Sequence, residues 1–394
     1  MRDAAMPRRA ARTARRALLV PAAALLGACG VALLAGCGAP EAREDTEEAK
    51  EEAMPAPAIR KGTRLQIDGV PSLGWGKGKE CTFAGALEAA LAATDHPCGY
   101  VDLMGLSGLA MRVRWYQGKT GQRWCPSSPV GEFPEEIAAI QKATGWPLRV
   151  ECLLGQESMD MTRFVPEIVA SISAGRAVPA YTKDLNMGVV YGYEDAGHAL
   201  LVRGYAPETP ERLPVSELGP MAIFLGEHGP PLPRGDAVRE AMRIAVRNWR
   251  REPVAAPNGQ YLYGDAALAA WAEDIGRAGD LSETDRNQLF FCTWWNFDGL
   301  WDARKAAGPF LDDAAGALEG EGRAALLRAA ALCRQELQAL DAAKDAFLGP
   351  WTGKNVAAWS PEVRQREQAV LAEARKVEAA AIAEIEKALA AEGG

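Results

Sequence analysis

Histidine is nearly absent: His96, His198 and His228 are the only three in 394 residues. Any chemistry that needs an imidazole base must use one of those positions. No His/Cys pair has metal-ligand spacing, so no metal is expected. A Walker-type nucleotide loop is missing, and no cofactor is expected. A basic surface is lacking too. Residues 1–36 hold six Arg and one Asp, so beyond them Lys+Arg falls from 44 to 38, Asp+Glu from 52 to 51, and the net charge from −8 to −13. That balance excludes nucleic acid as a partner, because binding a polyanion needs a positive footprint. There is no internal repeat. Against these absences stands tryptophan, 11 in all. Such a count predicts large buried clusters or a ligand-facing surface.

Long apolar runs are confined to the start of the chain. Arg2, Arg8, Arg9, Arg12, Arg15 and Arg16 precede an apolar stretch from Ala17 to Leu34, interrupted by Pro21. A basic segment, an apolar segment and small residues before a cut site describe a secretory signal over residues 1–36. Leu34-Ala35-Gly36-Cys37 resembles the lipobox of bacterial lipoproteins. The resemblance implies cleavage before Cys37, acylation of Cys37 with palmitate-type chains, and export to a bacterial membrane, inner or outer. Residues 37–58 are acidic, then Ala/Pro-rich, with no apolar period. They read as an extended tether that holds a body off the membrane.

The body divides at a change of character near Pro233. Residues 59–232 mix helical and strand signals. A strand is expected within 60–70, then a glycine loop, Pro71 to Lys79, and a helix from Cys81 to about Ala93. Phe133 to Gly145 and Val165 to Gly175 read as helices, each with Pro in its first turn and Gly at its end. Strands are expected at 177–181, 188–193, 198–205 and 221–225, with a hairpin turn over residues 194–197. Residues 233–394 carry helical periodicity at about 235–251, 264–277, 282–307, 320–347 and 361–391. The fold class is α+β, followed by an α-helical C-terminal region.

The chemistry centres on Cys81. A loop that ends in Cys and opens a helix puts the thiol among unpaired backbone N–H groups, where the macrodipole favours thiolate. A buried, inert Cys fits the same stretch. Nucleophilic use needs a base near the sulfur and a group to orient that base.

Three stretches carry a family resemblance: the Cys81 helix, the run GLSGLAMR (105–112), and AGRAVPAYTKDLNMGVVYGYEDAGHALLVRGY (174–205). Together they resemble the N-terminal domain of butirosin biosynthesis protein H and its relatives. That domain is similar to bacteriocin-processing cysteine peptidases and, more distantly, to papain. The resemblance covers about residues 65–228 and implies a papain-like body acting on a peptide or acyl substrate. Two registers of the His strand compete. In one, His198 opens the strand and pairs with Cys81. In the other, residues 188–195 form it, the His slot falls on Asn186, the acidic slot falls near residues 203–205, and the triad is lost. The upstream Gln that often completes the oxyanion hole is replaced by Trp75. Trp75 and Trp115 are the expected walls of a substrate cleft, with Tyr116 and Trp124 nearby.

Export permits disulfides. Cys98 with Cys125, and Cys292 with Cys333, are the expected pairs. The run from Phe290 to Phe297, followed by Trp301, reads as a buried helix face. Two functions follow: a thiol peptidase, amidase or acyltransferase using Cys81 and His198, or a catalytically inactive binding or scaffolding lipoprotein on the same fold.

Overall fold

A computed structural model describes residues 64–118, 133–153, 156, 158–182, 186–206, 209–256, 259–347, 349 and 356–393. The signal segment, Cys37, the tether, Trp124 and Cys125 lie outside the described residues. In chain order the elements are β1 (Leu65–Gln66), α1 (Thr82–Leu91), α2 (Tyr100–Leu106), β2 (Arg114–Gly118), α3 (Phe133–Thr144), β3 (Leu148–Cys152), α4 (Val165–Ser173), β4 (Val178–Thr182), β5 (Met187–Glu194), β6 (Ala199–Arg203), β7 (Arg212–Pro214) and β8 (Leu218–Leu225). Then come α5 (Arg234–Trp249), β9 (Val254–Ala256), β10 (Gly259–Tyr263), α6 (Gly264–Gly276), α7 (Glu283–Ala314), α8 (Gly320–Ala343) and α9 (Pro361–Ala391). The architecture is α+β with a C-terminal helical region.

The main sheet is antiparallel, in the order β3-β8-β4-β5-β6-β7, with β1 continuing the line of β4 alongside β5. Both of its faces are covered, which explains why its strands read as apolar runs rather than alternating ones. Val189, Leu201 and Ile223 point to the face under α1. Val190, Leu200, Val202 and Phe224 point to the other face, under Ile168, Val169 and Ile172 of α4. Every α1 residue except Glu88 is buried. The Ala/Gly-rich sequence of α1 lets it lie close on the strands.

The helical region is not purely helical. It contributes β9 and β10, and β10 pairs with β2 from Gly259↔Gly118 to Tyr263↔Arg114. A strand before residue 232 and one after it thus share a sheet. The main core is likewise continuous, running from Val70 to Ala388. Ends of the long helices follow their capping signals. The Ser282 hydroxyl accepts from Asp285 N–H at 3.2 Å and opens α7. The Ser360 hydroxyl accepts from Val363 N–H at 3.4 Å, with Pro361 first in α9.

Charge is buried where the helices meet. Arg304 of α7 is fully buried; its Nε donates to Glu336 of α8 at 2.9 Å, and its guanidinium approaches Glu378 of α9 at 2.5 Å. A third bond, 2.7 Å long, runs to the carbonyl of Ala110. Among the described residues, no helix is long and apolar enough to cross a membrane.

Candidate functional site

The loop before α1 turns on glycines. Gly76 and Gly78 have φ of 75° and 78°, in the left-handed region that side chains resist. Glu80 holds the turn, its carboxylate accepting from Gly76 N–H at 3.1 Å. Cys81 then caps α1 with extended backbone. The Thr82 hydroxyl accepts from Met187 N–H at 3.1 Å, fixing the start of α1 against the start of β5. Tyr205, just beyond β6, reaches back to donate to the Lys79 carbonyl at 2.8 Å.

Cys81 itself is buried, at 2 % exposure. Its N–H donates to the Tyr100 hydroxyl at 3.0 Å and to Asp302 Oδ2 at 3.2 Å. Tyr100 also hydrogen-bonds Asp302. Lys305 Nζ approaches the other oxygen of Asp302 at 3.2 Å. A carboxylate from the helical region therefore sits at the mouth of the Cys-led helix.

The electrostatics oppose an activated thiol. Burial is the largest influence and pushes Cys81 up to about 12; Asp302 and Glu136 add to it, while the Ala84 N–H and Arg112 pull the other way. The helix start therefore loses to desolvation. A pKa of about 12 leaves roughly one thiolate in 10⁵ at pH 7. Asp298, one turn before Asp302, is pushed up to about 6 by burial and by Glu80. Tyr100 is raised by burial, then by its neighbours Cys81 and Asp302.

Of the expected site residues, the structure brings some to Cys81 and not others. Asn186 directly precedes Met187, at the end of β5 that meets Thr82. His198 is exposed and follows the tight turn at the opposite end of the β5–β6 hairpin, where Glu194 faces Ala199. Seven strand steps of about 3.3 Å separate the two ends, or roughly 20 Å. The pairing of Cys81 with His198 is therefore not formed, while Asn186 lies at the end of β5 nearer the start of α1. Tyr205 lies in the stretch expected to hold the acidic partner.

Trp75 is 44 % exposed and lies on the Tyr205 ring, centroids 5.0 Å apart. Trp115 is not a cleft wall: it is fully buried, stacks on Trp271 at 5.2 Å, and donates Nε1 to Asp274 at 2.9 Å. Tyr116 packs with Tyr261 and Tyr263 in a separate small cluster. Cys333 carries a free thiol, 3.8 Å from the Met111 sulfur, so it is not joined to Cys292. Cys98 is also a free thiol. His96 and His228 stack on each other at 3.7 Å, packed on Trp146. Among the described residues, no group of three or more His, Cys, Asp or Glu is arranged to hold a metal.

Sequence reasoning missed Tyr100 and Asp302. A signal for Asp302 exists: it is a carboxylate just after Trp301 in α7, among positions that helical periodicity buries. No family model matches the chain, and no curated protein matches it.

Proposed function

We propose that the chain is an exported lipoprotein, anchored to a bacterial membrane through acylated Cys37, whose papain-like body binds or scaffolds a partner without cleaving it. One observation carries the non-catalytic part: the Cys81 N–H, the donor an oxyanion would need, is already taken by Tyr100 and Asp302. The thiol beside it is held protonated, and His198 lies at the far end of the β5–β6 hairpin from it. Thiol hydrolysis needs all three features reversed. The open aromatic at the loop, Trp75 on Tyr205, supports a contact surface there for a peptide or acyl group.

The anchoring part rests on the Leu-Ala-Gly-Cys37 sequence after an apolar segment. Its test is Cys37→Ala expressed in a lipoprotein-processing bacterium. Loss of metabolic palmitate labelling and of membrane fractionation is the expected result. Membrane retention with unchanged mass would remove the anchor from the reading. The binding part is tested by capturing partners on wild type and Cys81→Ala. An equal set of partners is expected, whereas turnover of any captured peptide by wild type alone would restore the enzyme.

A further inference from the structure

We propose that Asp302 is a built-in stopper: the helical region inserts its own carboxylate at the Cys81 N–H, the position an acyl oxygen would take, and the Tyr100 hydroxyl clamps it there. This deepens the reading of Cys81 as non-catalytic, and names what closes the site. The geometry is specific. Asp302 is 1 % exposed and comes from a helix 221 positions away from Cys81. One of its oxygens accepts from both the Cys81 N–H and Tyr100; the other faces Lys305. A carboxylate buried this deeply is costly unless its partners hold it, and here two donors and an ammonium do so.

The charges around the sulfur come from several elements. Asp302 and Lys305 lie on α7, Glu136 on α3, Arg112 before β2, and Glu80 in the preceding loop. Asp302 is the acidic group hydrogen-bonded to the residue itself. Removing its charge should therefore change how Cys81 meets charged reagents, beyond any loosening of the fold.

The experiment uses the full chain in detergent and two alkylating probes, neutral iodoacetamide and anionic iodoacetate. Labelling at Cys81 is separated from the other thiols by peptide mass mapping. In Asp302→Asn, which keeps the shape, the iodoacetate-to-iodoacetamide rate ratio at Cys81 should rise about tenfold, the effect of roughly 1.4 kcal/mol of lost repulsion. A structural role alone would speed both probes equally. A folded Asp302→Asn chain with an unchanged ratio overturns the stopper. If that variant does not fold, Tyr100→Phe takes its place: a faster Cys81 with the same direction of ratio supports the clamp, and unchanged rates overturn it. Rapid labelling of wild type below pH 7 would instead sink the non-catalytic reading, so the two failures are distinct.

Discussion

The Tyr205 hydroxyl occupies the space a side chain at Gly85 would need: a Cβ there would lie 1.8 Å from the phenolic oxygen and 3.0 Å from the ring carbon that bears it. Glycine inside a helix ordinarily costs about 1 kcal/mol relative to alanine. Here it lets a tyrosine from beyond β6 cross α1 and bond the loop at Lys79. Gly85→Ala should destabilise by about 1–3 kcal/mol, since overpacking outweighs the gain in helix propensity. Tyr205→Phe deletes the clashing oxygen. The double variant should therefore lose clearly less than the sum of the single ones in urea unfolding. Additive losses would mean that the two residues are not in contact.

The buried Arg304 cluster makes a second prediction. Two carboxylates, Glu336 and Glu378, face one guanidinium with no solvent to share the charge. Arg304→Met leaves both acids without a counter-ion and should cost about 3–5 kcal/mol. Adding Glu336→Gln and Glu378→Gln to Arg304→Met should recover most of that loss. A mild effect of Arg304→Met on the urea midpoint would show that the cluster contributes little.

Glu367 gives a pH dependence. It is buried in α9 and accepts from Trp359 Nε1 at 2.6 Å. Burial pushes it from 4.5 up to about 8, over the opposing pull of that hydrogen bond and Arg364. Between those values the folded chain holds a proton that the unfolded chain has released. Stability contributed by this group is present below pH 4.5 and falls as pH rises toward 8, by about 1.4 kcal/mol per pH unit. Glu367→Gln should flatten that window and melt higher than wild type at pH 8. Identical pH profiles of the melting temperature in the two proteins would contradict this.

Much of the fold was readable because its signals are local. The Pro134 and Gly145 boundaries of α3, the Ser360-Pro361 start of α9 and the tight turn over residues 195–197 each rest on a few adjacent residues. β3, β7, β9 and β10 were not read. Each is short, and each is defined by a partner distant in sequence, as β10 is by β2. The site divides the same way. Cys81 at the head of α1 follows from local pattern. Asp302 does not, because only the docking of α7 brings a carboxylate from residue 302 to the N–H of residue 81. Trp115 was misread for a related reason: an aromatic at a strand position looks the same whether it faces a cleft or, as here, stacks on Trp271.

The central claim is that Cys81 is a closed, protonated thiol that does not depend on His198. The most direct measurement is the pH dependence of Cys81 alkylation in the full chain, wild type against His198→Ala. The account predicts slow labelling in both proteins at neutral pH, rising only in strong alkali toward the value of about 12, with superimposable profiles. A thiol that reacts rapidly below pH 7 in wild type and loses that reactivity in His198→Ala would contradict it, and would establish an activated Cys–His pair.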